Sequence, residues 1–233
     1  MGISSTFVAG RRQMRLGLAG VLLACIAGAA SAQPVPTNAN STAAPTSTMV
    51  LQTGPADQRL DIAVIGDGFQ AGADQTTFNN YVQQELLTDL FSQGLLWETR
   101  GAFNIRRINT FSRDSGVTQV NRVPNPSGTG STATVTTNRR TALDWRVNGQ
   151  NRFCWNEGGP NQNAFQSAII NALAPEADFI VVVLNEPTGG GCARGSMSTL
   201  HLPSGDQTIR HELGHAVANL CDEYVANAPT TYT

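Results

Sequence analysis

Lysine is absent from this chain of 233 residues, so all 15 basic groups are arginine. Aromatic residues make up only 6% and charged residues 14%, and the formal net charge is −2. No basic tract is interleaved with aromatic residues, which argues against a dedicated nucleic-acid surface. Arg106-Arg107 and Arg139-Arg140 read as solvated faces rather than phosphate sites. No apolar run reaches the roughly 20 residues that a membrane-spanning helix needs. Cysteine is scarce: Cys25, Cys154, Cys192 and Cys221. If the N-terminal segment is removed on export, three remain. That odd number predicts one pair and one leftover thiol, or a partner beyond Thr233. Histidine occurs three times, at His201, His211 and His215.

The N-terminus supplies a reason to expect export. Arg11, Arg12 and Arg15 form a basic start, Leu16 to Ala29 is apolar but short, and Ala30-Ser31-Ala32 is an A-x-A cleavage site. Residues 1–32 therefore read as a signal peptide, placing the mature protein in a secreted, periplasmic or extracellular compartment. Leu22-Leu23-Ala24-Cys25 also passes as a lipobox, which would tether the chain through Cys25. Arg11-Arg12 invites a twin-arginine reading, but Arg15 stands where a hydrophobic residue belongs. Residues 33–56, rich in Pro, Ser, Thr and Asn, read as a disordered linker. Residues 57–233 are enough for one domain with a core of its own.

Within that domain, Leu60 to Phe69 is a short apolar run ended by glycines, a buried strand leading into a turn. The Gly66-Asp67-Gly68 turn lacks the third glycine and the lysine of phosphate-binding loops. Asp74 to Gln93 spaces Phe78, Tyr81, Val82, Leu86, Leu87, Leu90 and Phe91 by threes and fours, as an amphipathic helix does. Trp97 and Phe103 are expected to continue its packing. Phe103 to Phe111 alternates apolar and polar as a strand, and Ser112 to Val117 follows as a turn. Val120 to Gly159 reads mainly as surface loop, with a short exposed strand at Thr132 to Arg140 and a strand or packed loop at Asn151 to Trp155. Asn163 to Ala174 predicts a helix. Asp178 to Asn185, a β-branched run, predicts a central strand buried on both faces. Pro187 to Gly195 is dominated by glycine, consistent with a substrate running close by. Ser196 to Leu202 reads as a strand just ahead of a helix with Asp206 as N-cap and Ile209, Leu213, Ala216, Val217 and Leu220 toward the core. The elements make an α+β domain.

That last helix carries His211-Glu212-Leu213-Gly214-His215. Residues four apart on a helix stand one turn above each other on the same face. Two neutral imidazoles so placed can hold one zinc ion and leave a position for water. Glu212, beside that face, is placed to accept a proton from a water polarised by the ion. The pattern therefore points to peptide hydrolysis. Gly214 costs a helix about 1 kcal/mol against alanine, which suggests a close backbone approach there.

The longer string, H-E-x-G-H-x-x-x-x-L-x-D-E-Y over His211, Glu212, Gly214, His215, Leu220, Asp222, Glu223 and Tyr224, resembles the secreted IgA-peptidase-type zinc metallopeptidases. The resemblance implies a zincin-like (metzincin-like) fold: a twisted mixed sheet with the H-E-x-x-H helix under its edge strand. It also implies a G-D-G-[FY] strand end at Gly66 to Phe69 and an S-x-E/D-S-G-V run at Ser112 to Val117. Family members continue past Thr233 into a lower subdomain, so that part is expected to be missing here. Ten residues beyond the first histidine, where a tight-turn protease has its third ligand, stands Cys221, but the pattern leaves this position variable. Asp222 is the expected third ligand, with Glu223 as the alternative and the other carboxylate holding an imidazole. Tyr224 either donates to an oxyanion or belongs to the core. His201, on the expected edge strand, suits substrate contact or simple exposure.

The reading is a secreted zinc metalloendopeptidase acting on extracellular proteins, immunoglobulin A-like substrates among them. Its site is Glu212 as base with His211, His215 and Asp222 as ligands to Zn2+. Its partners are protein or peptide substrates, not nucleic acid, with no stable membrane span. The alternative is a non-catalytic extracellular binding module that keeps the same fold. The exported chain is expected to begin at Gln33; N-terminal sequencing that returned Met1 would refute the cleavage site.

Overall fold

A computed structural model of the chain describes residues 35, 37–92, 94–124, 132–148 and 158–220. The signal segment with Cys25, the expected strand at Asn151 to Trp155, and Cys154, Cys221, Asp222, Glu223 and Tyr224 lie outside the described residues.

The chain order is β1 (Ser41–Leu51), β2 (Leu60–Asp67), α1 (Ala73–Tyr81), a π-helical stretch (Val82–Asp89), α2 (Gly94–Thr99) and β3 (Phe103–Ser112). It continues with β4 (Thr118–Pro124), β5 (Thr132–Thr137), β6 (Arg146–Asn148), α3 (Gln162–Leu173), β7 (Phe179–Leu184), β8 (Gly191–Arg194), β9 (Met197–His201) and α4 (Asp206–Ala218). Six strands form one sheet in the order β1-β3-β2-β7-β9-β8, and β5-β4-β6 form a second. In the larger sheet β3, β2, β7 and β9 run parallel, while β1 and β8 are antiparallel to their neighbours at the two edges.

Both faces of this sheet are covered, and the period of two along each strand decides which side chain goes where. On one face Ile62, Val64, Val181 and Val183 pack with Phe78, Leu86, Ile209 and Leu213 from α1, the π-helical stretch and α4. On the other, Ala63, Ile65, Val182 and Leu184 pack with Trp145 and with Ile169 and Ile170 of α3. The apolar runs at β2 and β7 are continuous because neither strand has a solvent face. All seven apolar positions expected of the Asp74 to Gln93 helix are buried.

Four expectations are corrected. Ser41–Leu51, read as part of a linker, is an edge strand paired with β3. An edge strand needs little apolar surface: only Pro45 is buried, and a ring without an N–H is tolerated there. The expected single helix continues past Tyr81 as a π-helix, whose last turn closes by the Leu90 N–H donating to the Glu85 carbonyl at 2.9 Å. Trp97 is 61% exposed, and it is Leu96 of α2 that packs against the core. β3 buries polar residues as well as apolar ones, because it lies between two strands and under α1. Asn109 there donates to the side-chain oxygens of Gln75 (2.6 Å) and Asn79 (2.8 Å).

The turn after β2 is built around a buried carboxylate. Asp67 accepts hydrogen bonds from the backbone N–H groups of Leu143 (2.9 Å) and Trp145 (3.0 Å), which pins the 141–145 segment to the end of the strand. Ser112 joins the same knot, accepting from the N–H groups of Gly68 (3.1 Å) and Ala142 (3.0 Å). Gly68, at φ 81°, lies against Gly116 so closely that a Cβ would come within 2.8 Å of its carbonyl. The G-D-G and S-x-D-S-G-V runs are thus two halves of one turn assembly.

Burial pushes the Asp67 carboxyl up to about 6, against the pull of its hydrogen bonds. A carboxyl raised in the folded state stabilises it fully below the ordinary carboxylate pKa and loses that contribution as pH rises through the folded value. The loss is about 3 kcal/mol between roughly pH 4 and 6. In urea titrations, the stability of wild type relative to Asp67→Asn should fall across that window and level off above it. A difference independent of pH would contradict the assignment.

Candidate metal centre

Helix α4 carries His211, Glu212 and His215 and starts without a side-chain cap, with extended Gly205 at its N-cap. Asp206, expected there, is instead the first helical residue and pairs with Arg210 one turn on at 2.8 Å. The helix start is held from outside. The Glu85 carboxylate of the π-helical stretch accepts the Asp206 N–H; burial, then the nearby Asp89 charge, raises the Glu85 carboxyl above its ordinary value. Tyr81 donates its hydroxyl to the Ser204 carbonyl at 2.8 Å, and Arg210 donates to the Asp89 carbonyl at 2.7 Å. Of these contacts, the one from Glu85 satisfies an N–H that the helix start leaves open, and the other two tie this end of the helix to α1 and the π-helical stretch.

The other end folds back. Asn219 takes the left-handed conformation (φ 51°, ψ 37°), and the Leu220 N–H returns to the Gly214 carbonyl at 3.2 Å. The Leu220 carbonyl thereby reaches His215 Nδ1 at 2.5 Å. A carbonyl only accepts, so Nδ1 carries the proton and Nε2 presents its lone pair. His215 Nε2 lies 3.0 Å from His211 Nε2. Two imidazoles sharing one tetrahedral zinc at about 2.05 Å place their nitrogens about 3.3 Å apart. The pair therefore fits a single ion, and a Glu212 carboxylate oxygen lies within 4.8 Å of a ring nitrogen of each histidine. His211 is exposed and His215 half-buried, which suits a centre open to solvent rather than a closed structural one.

Glu212 is buried beneath the edge strand. That strand is β8, formed by Gly191–Arg194 within the glycine-rich segment, whereas β9, expected at the edge, is interior between β7 and β8. Counting glycines concealed the short pairing of Cys192 with Thr199 and Arg194 with Met197. Gly191 is small for a local reason: a Cβ there would come within 2.9 Å of Glu212 Cγ and of Thr208 Cγ2. The close neighbour of this glycine is α4 itself. Gly214, by contrast, would bring a Cβ only to ordinary contact, 3.4 Å from Leu220 Cδ1, so the tight approach expected there is not found.

Ile209 and Leu213 face the core as expected, but Val217 (37%) and Leu220 (62%) are exposed. Where they stand, α4 has run past the strands that cover its earlier turns. His201 is buried on β9, not exposed, and its backbone N–H donates to the Gly190 carbonyl at 2.8 Å. Cys192 is disulfide-bonded. Asp222 and the other ligand candidates after the helix lie outside the described residues.

The family model for IgA peptidase M64 matches residues 48–233. The chain belongs to the IgA peptidase M64 family. No curated protein matches it. The M64 match starts at Thr48, inside β1, so the family domain takes in part of the strand that composition reads as linker. Within this M64 domain the described His, Cys, Asp and Glu side chains converge on one possible metal position, His211 with Glu212 and His215.

A Gly191→Ala substitution should force β8 away from α4. The expected cost is about 1 to 3 kcal/mol, the range for overpacking a filled site. Thermal or urea unfolding measures it; a variant as stable as wild type would mean that β8 does not bear on Glu212.

Proposed function

We propose that this metallopeptidase-family chain is an exported, zinc-dependent endopeptidase of zincin-like fold that hydrolyses extracellular proteins. The carrying observation is the pair of imidazole nitrogens 3.0 Å apart with the Glu212 carboxylate beside them, beneath β8, the outermost strand of the sheet among the described residues. His211 and His215 would hold the ion through Nε2, with Asp222 proposed as the third ligand. When bound, zinc supplies Lewis acidity for the carbonyl under attack and makes a nearby water more acidic.

The rest is done by residues of the chain. The Leu220 carbonyl keeps the His215 proton on Nδ1 and so keeps Nε2 available. Glu212, held under Gly191, accepts the proton that the attacking water gives up and is placed to pass it to the leaving amine. An extended peptide can add to the outer edge of β8 through backbone hydrogen bonds, which brings its carbonyls along the α4 side of the strand. Export rests on the basic start, apolar stretch and A-x-A site of residues 1–32. Immunoglobulin A enters only through the family's name, as one candidate substrate.

The test is gelatin and casein hydrolysis by the chain from Gln33 beside Glu212→Gln and His211→Ala, with zinc content measured on each sample. Wild type should cleave and stop with chelator. Glu212→Gln should keep zinc and lose 100-fold or more in rate, in line with removal of a general base, and His211→Ala should lose zinc. Zinc retained with cleavage by none would favour the binding-module reading, and zinc held by no sample would refute the metal centre.

A further inference from the structure

On the face of β8 turned away from Glu212 lies a pocket of about 90 Å3. Strand alternation separates the two sides: Gly191 meets α4, while Cys192 and Arg194 line the pocket with Thr199 of β9, Trp145 and Gln162. Its walls are fixed. Cys192 is held in a disulfide, and Trp145, Gln162 and Thr199 are buried. Gln166 ties the frame together: its side-chain oxygen accepts from Trp145 Nε1 (3.2 Å) and Gln162 Nε2 (2.7 Å), and its Nε2 donates to Met197 Sδ at 3.2 Å.

Arg194 is the one cation among the described residues of this pocket. It is exposed, and no carboxylate pairs with it among the described residues. Among the described residues that line the pocket none is acidic. Its volume is below the roughly 150 Å3 that accepts benzene in a protein interior, so it suits a short side chain rather than a ring.

We propose that this pocket is a substrate subsite that takes the carboxylate side chain of an extended peptide lying along β8, with Arg194 as the ion-pairing partner. The proposal rests on the reading of β8 as the docking edge. A peptide added there sends alternate side chains to opposite faces, and those opposite Cys192 and Arg194 stand about 5 Å from them across the strands. Residues on that register reach the pocket while their neighbours turn toward Glu212. A guanidinium at a pre-shaped site pairs a carboxylate through two parallel hydrogen bonds. Asp or Glu at one fixed distance from the cleaved bond is the resulting preference, and Lys or Arg there is disfavoured.

The experiment reads binding rather than hydrolysis. The whole chain carrying Glu212→Gln and loaded with zinc is titrated against fluorescein-labelled ten-residue peptides of Ser, Thr and Val. A single Asp is walked along them, with Asn and Lys versions of each, and anisotropy gives Kd. At one position Asp should bind about fivefold tighter than Asn, the upper range for a solvent-accessible pair. Arg194→Ala should level the two, Arg194→Lys should keep part of the preference, and Arg194→Glu should favour Lys at that same position. Thermal unfolding checks that each variant is folded. The proposal is overturned if no peptide binds, if no position prefers Asp, or if the preference survives Arg194→Ala. An Arg194-dependent Asp preference in a wild type that cleaves none of the peptides supports the subsite and counts against the peptidase reading. Cleavage without that preference does the reverse.

Discussion

The contact between helix α4 and the edge of the large sheet sets the geometry of the candidate centre. Only Ile209 and Leu213 of α4 are buried apolar side chains, worth about 2 kcal/mol each. Two such anchors hold a helix against a sheet but leave its rotation and slide poorly defined. The remaining definition comes from Tyr81, Glu85 and Asp89, which grip its start, and from Gly191, which seats the strand on Glu212. The aim of both imidazoles follows from that seating, because His211 is exposed and His215 half-buried, so their direction is set by the helix that carries them.

The sheet explains why an open edge lies there at all. Four parallel strands need connections that cross its faces, and the helices of those connections bury both sides. Reversal of direction at Gly195 and Ser196 places antiparallel β8 outermost, with no further strand beside it among the described residues. At the far end of β2, the Asp67 carboxylate holds the 141–145 segment, and Trp145 of that segment lines the pocket beside β8. The buried acid is thus connected through one segment to the wall of the proposed subsite.

Much of this was legible in the sequence, for reasons that are local. Apolar periodicity along Phe78 to Phe91 and the β-branched run at β7 report burial directly, and the four-residue spacing of the two histidines needs only helix geometry. What escaped depends on partners distant in the chain. Ser41–Leu51 has too few apolar residues to read as folded, yet β3 supplies its hydrogen bonds. Asp206 has the chemistry of an N-cap, but Glu85 takes that position from another helix. The glycines around β8 hide its four residues, so β9 looks outermost in the sequence although β8 lies beyond it. Of the turn at Asn219, one sign was available: asparagine directly after a periodic segment suits a left-handed helix end.

That turn has a bearing on how the site tolerates change over generations. The group that orients His215 is a main-chain carbonyl, so every residue type at position 220 carries it. Substitution can alter the exposed leucine side chain without removing the acceptor. The vulnerable position is its neighbour, Asn219, whose backbone φ is 51°. A β-branched residue there would resist the left-handed conformation and draw the carbonyl off the ring, whereas glycine would accept it. The proton position of a candidate ligand is thereby entrusted to chain geometry rather than to the chemistry of a second side chain.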